Sequence, residues 1–252
     1  MEIPMNSALG AILGLVFAVT LSPLPAAAGD IRLVTENYPP LNYLENGQIK
    51  GSSMDLIRLV MRNGNIPYSV EIMPWARAIA LAEIEPDFCV FTAVHDEERD
   101  QKFKWIEPLL KSRTVLVRKQ GANINPKTLE EAKAYTVGTQ RGDFTHDILK
   151  RNNFPKVDLT ADLDLGFKKL MSGRIDLMPI SEKYYEKLKR GGAQIESVLT
   201  LSQSTYSIAC NRNVPDSTVA RMQQELNSLI ADGTQKRIYD AYGVGASESV
   251  QN

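Results

Sequence analysis

From Ile31 onward, strand-like runs alternate with amphipathic helical stretches, and this alternation restricts the chain to an α/β fold. The run "IRLVT" (31–35) reads as a buried strand. "SSMDLIRLVMRNG" follows, with Ser53 as N-cap, an apolar face at Met54, Ile57, Val60 and Met61, and Gly64 just past the end. "YSVEIM" (68–73) is a strand, "PWARAIALAE" starts a helix at Pro74, and "FCVFTA" is the next strand. That order is typical of a parallel sheet covered by helices.

A second set begins with the strand "RTVLVRK" (113–119). A capping box, Thr128 with Glu131, opens "TLEEAKAY". Strands "YTVGTQ", "VDLT" and "RIDLMPIS" then alternate with helices "THDILKRNN", "LDLGFKKLMSG" and "EKYYEKLKRGG". After the strand "TYSIACNRN" (205–213), the tail reads as two helices broken near Asp232-Gly233 and restarted at Thr234. Two α/β sets joined by two extended segments make a clamp. The expected lobes are 29–113 with 211–252, and 114–210. Hinge segments near 114–118 and 205–210 should lie side by side as the only crossings, with no single sheet running through both lobes.

Ligands bind outside the carboxyl ends of parallel strands and between lobes that close. "FCVFTA" ends at Thr92 on such an edge. The charged run after it, "VHDEERDQKFKW", therefore falls at the cleft mouth. Taken alone, Arg99 among Asp96, Glu97, Glu98 and Asp100 reads as a solvated surface charge, and its place at the cleft mouth leaves a gripping role open. The acids should mostly face solvent at a helix start.

With 252 residues, 43% of them hydrophobic, the chain can bury one large or two small cores. A net charge of −1 offers no basic surface for nucleic acid or an anionic membrane. The apolar run "ALGAILGLVFAVTL" (8–21), followed by Ala26 and Ala28 in an A-x-A pattern, reads as a secretory signal over 1–28, cleaved after Ala28. No Lys or Arg precedes that run, which departs from the usual pattern. In an exported chain Cys89 and Cys210 could pair, but both lie in apolar strand-like runs, and two buried thiols acting as small hydrophobes are the simpler expectation. No metalloprotease, nucleophile-elbow, P-loop or Rossmann pattern occurs. His95 and His146 read as loop or helix-surface residues, and no metal or cofactor is expected.

Several pieces together resemble a known family. "ENYPPLNYLENGQIKGSSMDLI", "MPWARAIALA", "DEERDQKFKWIEPLL", "VGTQRGDF" and "LMSGRIDLMPIS" arrive in the order found in family 3 periplasmic solute-binding proteins, the type that serves amino-acid ABC transporters. The resemblance runs from about Ile31 to Tyr242. It implies a two-lobed periplasmic-binding-protein-like clamp of type II, each lobe a mixed, mostly parallel sheet with flanking helices. It implies a binder, not an enzyme: a periplasmic protein that hands a small polar solute, an amino acid or related carboxylate, to a permease in the inner membrane; a monomer is the default expectation.

Carried over by position, Arg99 matches the arginine that pairs with a ligand carboxylate, and Thr92 a hydroxyl that assists it. Tyr38 and Trp75 match aromatics that sandwich the ligand. Read alone, Trp75 is also a core candidate, and Tyr38 a turn residue of "YPP". Gly142 and Asp143 match an anion-facing loop at a helix N-terminus, although the family favours threonine at Asp143. Ser181 stands where an aspartate often holds the α-amino group, and Val94 replaces a second hydroxyl. Two alternatives stay open: a periplasmic enzyme on the same fold, such as a dehydratase of a cyclic acid, which needs a carboxyl of raised pKa, and a ligand-sensing partner of a membrane receptor.

Overall fold

The structure, a computed structural model, describes Met1 and residues 30–245. Apart from Met1, the expected signal segment lies outside the described residues. The first lobe contains β1 (Ile31–Thr35), a hairpin of β2 (Tyr43–Glu45) and β3 (Gln48–Lys50), α1 (Ser52–Asn63), β4 (Tyr68–Ile72), α2 (Trp75–Ile84) and β5 (Phe88–His95). A 17-residue strand, β6 (Phe103–Lys119), leads out of it. The second lobe holds α3 (Leu129–Ala132), β7 (Val137–Gln140), α4 (Phe144–Arg151), β8 (Val157–Thr160), α5 (Leu163–Met171), β9 (Met178–Ser181) and α6 (Glu182–Arg190). A second 17-residue strand, β10 (Ile195–Asn211), returns to the first lobe. There α7 (Asp216–Ala231) and α8 (Thr234–Ala241) close the chain.

The strand order is β4-β1-β5-β10-β6-β9. β1 runs parallel to β4 and β5, while β10 is antiparallel to β5 and β6. β7 and β8 form a parallel pair, tied to the approach to β9 by a bridge between Val137 and Leu177. β5, parallel to β1 and antiparallel to β10, is buried along nearly its whole length, as an internal strand covered on both faces must be. Successive residues serve opposite faces. Leu33, Cys89 and Phe91 pack with α1 and α7 residues such as Ile57 and Met222, while Val34 and Val90 pack with Trp75 and Ala78 of α2.

One hydrogen-bonded sheet does run through both lobes, contrary to the expectation. The reason is that β6 and β10 are each long enough to serve both. β10 parts from β5 at Thr205, and β9 joins β6 only from Thr114. Between those points the sheet narrows to two strands, Lys111–Arg113 opposite Thr205–Gln203. The segments 114–118 and 205–210 do not lie opposite each other. The first faces Ser202 to Glu196, and the second faces Lys111 to Lys104. Both are apolar runs, and each marks where a strand enters a core, on opposite sides of the neck. The neck itself is polar and carries no hydrophobic pattern.

Two further expectations are corrected. Cys89 and Cys210 are register partners on β5 and β10 and form a disulfide, not two free thiols. Folding two apolar strands side by side in that register brings both sulfurs together inside the core. The N-cap of α1 is Gly51, not Ser53. Gly51 has φ 123°, and a Cβ there would lie 2.2 Å from the Leu41 carbonyl oxygen, so only glycine fits this close approach.

Candidate functional site

The first-lobe wall of the cleft is built around Thr92. β10 advances from Ser207 to Ile208 while β5 passes from Ala93 to Phe91, so Thr92 is the extra residue of a bulge. Its φ is 61°, unusual for a β-branched residue and held in place by its surroundings. The Thr92 hydroxyl donates to Asn42 Oδ1 at 2.6 Å. Asn42 Nδ2 donates to Thr35 Oγ1 and to the Glu36 carbonyl, at 2.9 and 2.7 Å. That carbonyl can only accept, which fixes the amide's orientation. Thr35 in turn donates to the Phe91 carbonyl at 3.0 Å. This chain of bonds pins the loop carrying Glu36 and Tyr38 to β5. Thr92 has thereby spent its proton and presents lone pairs only.

Trp75, the first residue of α2, donates through Nε1 to the Gly142 carbonyl at 2.9 Å. It is both core and wall: 3% exposed, packed with Val34 and Val90, and lining the cavity. Arg99 is 5% exposed, too buried to be a solvated charge. Its Nη2 donates to the same Gly142 carbonyl at 2.9 Å and lies 3.7 Å from Asp147 Oδ2. Its guanidinium stands 6.0 Å from the Trp75 ring, and Nη1 has no partner among the described residues.

Of the acids near Arg99, Glu97, Glu98 and Asp100 are exposed as expected, and Asp96 is half-buried. Asp96 Oδ1 accepts from the Arg99 backbone N–H at 3.0 Å, and its Oδ2 is buried without a partner among the described residues. Glu98 reaches Arg151 of α4 at 3.1 Å. His95 is not a surface residue. It stacks on Trp105 with centroids 4.1 Å apart, and its two nitrogens meet Glu107 and Asp100 at 2.9 and 2.8 Å. Burial disfavours its charge, but those two carboxylates outweigh burial and raise its pKa.

The second-lobe wall is made of helix starts. Gly142 takes φ 73° so that the loop after β7 can turn into α4. Asp143 is the N-cap of α4, and its Oδ1 accepts from the Thr145 backbone N–H at 2.8 Å and from the Thr145 hydroxyl. Burial raises the pKa of Asp143, opposed by the nearby Arg99 charge. Ser181 caps α6, accepting from Tyr184 N at 3.2 Å. The Tyr38 hydroxyl spans the cleft, donating to Ser181 Oγ at 2.5 Å and accepting from Ser181 N at 3.1 Å.

A cavity of about 30 Å³ lies between these walls. Tyr38, Trp75, Thr92, Asp143 and Ser181 line it, while Arg99 and Gly142 meet beside it. Sequence reasoning missed Glu36, Thr114 and Tyr206, which also line it, and placed the 139–144 loop at the site without singling out Gln140. Glu36 accepts from Gln140 Nε2 across the cleft at 2.6 Å. Burial pushes its pKa up to about 8; Gln140 opposes the shift, and Asp143 and Asp162 reinforce it. Its place two residues before Tyr38, and that of Gln140 two before Gly142, were the available signals. No cluster of His, Cys, Asp and Glu suited to a metal occurs among the described residues.

Residues 31–245 match the model of the bacterial extracellular solute-binding proteins, family 3. The chain belongs to this family. A relative in Neisseria gonorrhoeae, described as a probable histidine-binding protein, is 24% identical over 229 residues, covering 86% of this chain and 85% of its own length. The arginine-, lysine-, histidine-binding protein ArtJ from Geobacillus stearothermophilus superposes with a TM-score of 0.77 at 18% identity, over 87% of this chain and 97% of its own. A histidine kinase sensor domain with similarity to periplasmic binding proteins gives a TM-score of 0.78 at 15% identity, over 85% and 96%. The family is one of solute-binding proteins rather than enzymes, and the mixed α/β architecture of this member is that of the periplasmic binding proteins.

Proposed function

We propose that the protein, exported to the periplasm by cleavage after Ala28, captures an amino acid or related small carboxylate between its lobes and delivers it as a monomer to an ABC transporter permease in the inner membrane. The observation that carries this reading is Arg99. A buried guanidinium with one arm engaged and the other unpartnered among the described residues is half of a bidentate carboxylate site. The start of α4 beside it adds backbone N–H groups of the polarity an anion needs. Tyr38 and Trp75 supply flat walls for the body of the ligand. Thr92 contributes acceptor lone pairs rather than a second donor.

The moving parts are taken as residues 30–110 with 206–245, and residues 114–202, turning about the two-stranded neck. Ligand that bridges both walls binds the closed form better and so shifts the population toward it. One feature favours the enzyme alternative: Glu36 is a half-buried carboxyl that lines the cavity, and desolvation raises its pKa, as a dehydratase requires. Thermal-shift and calorimetric screening of amino acids, di-acids and polyamines, with chemical analysis of the recovered ligand, separates the readings. Stabilisation by an amino acid or carboxylate recovered unchanged is expected. Turnover, or stabilisation by polyamines alone, would sink the proposal.

A further inference from the structure

Arg99 can grip a ligand only if the loop that carries it is held still, and one histidine fastens that loop. His95 ends β5, and residues 96–99 lead from it into a short helical turn, Asp100–Lys102. The loop makes two contacts with the second lobe: Arg99 Nη2 to the Gly142 carbonyl at 2.9 Å, and Glu98 to Arg151 at 3.1 Å. His95 Nε2 meets Asp100 Oδ1 at 2.8 Å, which ties the two ends of the loop together. His95 Nδ1 meets Glu107 Oε2 of β6 at 2.9 Å. The ring also stacks on Trp105, whose Nε1 donates to the Asp100 carbonyl at 3.2 Å.

Glu107 is itself held on two sides. Its Oε2 accepts from the Ser207 hydroxyl of β10 at 2.7 Å. Its backbone N–H donates to Gln223 Oε1 of α7 at 2.9 Å, and its carbonyl accepts from Gln223 Nε2 at 2.8 Å. An ionised carboxylate only accepts, so both ring nitrogens of His95 must donate. The neutral ring has one N–H and would set a lone pair against one of the two carboxylates. Only the imidazolium satisfies both. Asp96 and Glu97 border the same surface depression. Hydrogen bonds from His95 and Gln101 hold Asp100 ionised, and Arg212, just past β10, adds to this. Lys111 stands two strands away, across Thr205. Burial opposes the charge on His95, and its two carboxylate partners outweigh burial.

We propose that His95 is a positioning residue for ligand capture: its imidazolium clamps the Arg99 loop to Asp100 and Glu107, so that the grip tightens as pH falls. The inference rests on the reading above that Arg99 takes the ligand's carboxylate. Closing the lobes holds the loop from the far side, through Gly142 and Arg151, and so keeps Asp100 within reach of His95. The closed, liganded form therefore holds the His95 proton more firmly than the open one, and by linkage the proton favours closure. The sign follows. The contribution is present below the ordinary 6.5 of histidine and is lost as pH rises through the raised value.

The test has two arms. The first uses ligand-free protein and nitrogen NMR of the imidazole rings. The chain has two histidines, so His146→Gln leaves His95 as the one ring to observe. Both His95 nitrogens should be protonated at pH 6, and exchange of the Arg99 amide, corrected for its intrinsic rate, should quicken as the ring titrates. The second arm is calorimetry with L-arginine at pH 6 and pH 8, between which its guanidinium and carboxylate keep their charges. From pH 6 to pH 8, wild type should lose about threefold to tenfold more affinity than His95→Gln, the scale of a pKa difference of about half a unit to one unit between free and bound protein. Glu36 and Asp143 are present in both proteins, so the comparison cancels their titration. Asp100→Asn, which leaves the stack on Trp105 in place, should shrink the pH dependence as well. A singly protonated ring at pH 6, or an equal loss of affinity in His95→Gln at both pH values, would overturn the proposal and leave His95 as a packing residue. Absence of L-arginine binding at either pH would count against the amino-acid reading instead, and the ring and the Arg99 amide would still decide the clamp.

Discussion

The first-lobe wall of the cleft is shaped by a strand bulge and a pinned loop, whereas the second-lobe wall is shaped by the starts of two helices. This difference decides what each wall can offer. Thr92 and Arg99 are forced into place by neighbours, and Arg99 has one arm unpartnered among the described residues. Asp143 and Ser181 are already committed to capping α4 and α6. The first lobe should therefore carry affinity, and the second lobe should supply shape and closure. The first lobe also carries the disulfide between β5 and β10; the described cysteines form no other.

The largest expected effect tests that last asymmetry. Replacing Cys89 and Cys210 together by alanine should cost about 2–5 kcal/mol of stability, the usual range for a native disulfide. Hydrogen exchange should loosen along β5 and the end of β10 near Asn211, with β7 and β8 little changed. Equal loosening in both lobes would mean that the core is shared through the sheet and that the two walls are not independently supported.

Next in size is Arg99→Ala, which removes a charge-assisted pair worth roughly 1.5–3 kcal/mol. Affinity for the cognate ligand, measured by calorimetry, should fall by about tenfold to more than a hundredfold. Arg99→Lys should recover only part, because an ammonium lacks the planar fork. Equal affinity in all three proteins would leave Arg99 as a strut between lobes, gripping Gly142 and nothing else.

Periodic and motif-bearing features were legible in the sequence; features set by register were not. The strand–helix alternation gave the α/β class because hydrophobic period is a local property. The aromatic and arginine positions came from resemblance, and the structure brings Tyr38, Trp75, Thr92, Asp143 and Ser181 to one cavity, with Arg99 and Gly142 beside it. The neck was misplaced because Lys111–Arg113 and Gln203–Thr205 are polar and resemble ordinary surface strand. The disulfide depends on which residue of β10 faces Cys89, and no single-strand pattern encodes that. Glu36 was passed over because an acid in a loop usually faces water, whereas here it is half-buried and bonded to Gln140 of the second lobe. The Asn46-Gly47 turn of the β2–β3 hairpin was a readable local signal that was not used; both residues have positive φ.

A smaller effect separates the walls directly. Asp143→Ala and Ser181→Ala each remove an N-cap and should each lower stability by about 1 kcal/mol. Denaturant unfolding should register both losses. Ligand affinity should move less than in Arg99→Ala, because these side chains serve their own helices first. If either variant lost affinity as steeply as Arg99→Ala, the second-lobe wall would have to be counted as a primary grip.

The smallest effect concerns pH, and it involves both walls. Burial raises Glu36 on the first lobe from an ordinary 4.5 to about 8, and raises Asp143 and Asp147 on the second. An acid whose folded pKa lies above its unfolded one binds more protons when folded, so stability falls as pH rises between the two values. For Glu36 that window runs from about 4.5 to about 8. His95 acts with the same sign for a different reason. Its pKa is raised by Asp100 and Glu107 against the cost of burial, so its contribution is present below its ordinary 6.5 and is lost as pH climbs through the raised value. The melting temperature of the ligand-free protein should therefore decline from about pH 5 to pH 8. Glu36→Gln should flatten much of that decline, since a neutral amide keeps the cross-cleft contact without titrating. His95→Asn should flatten only the part above about pH 6.5. A decline unchanged in Glu36→Gln would show that the first-lobe carboxyl stays solvated in the free protein, with the cleft open and the two walls meeting only around a ligand.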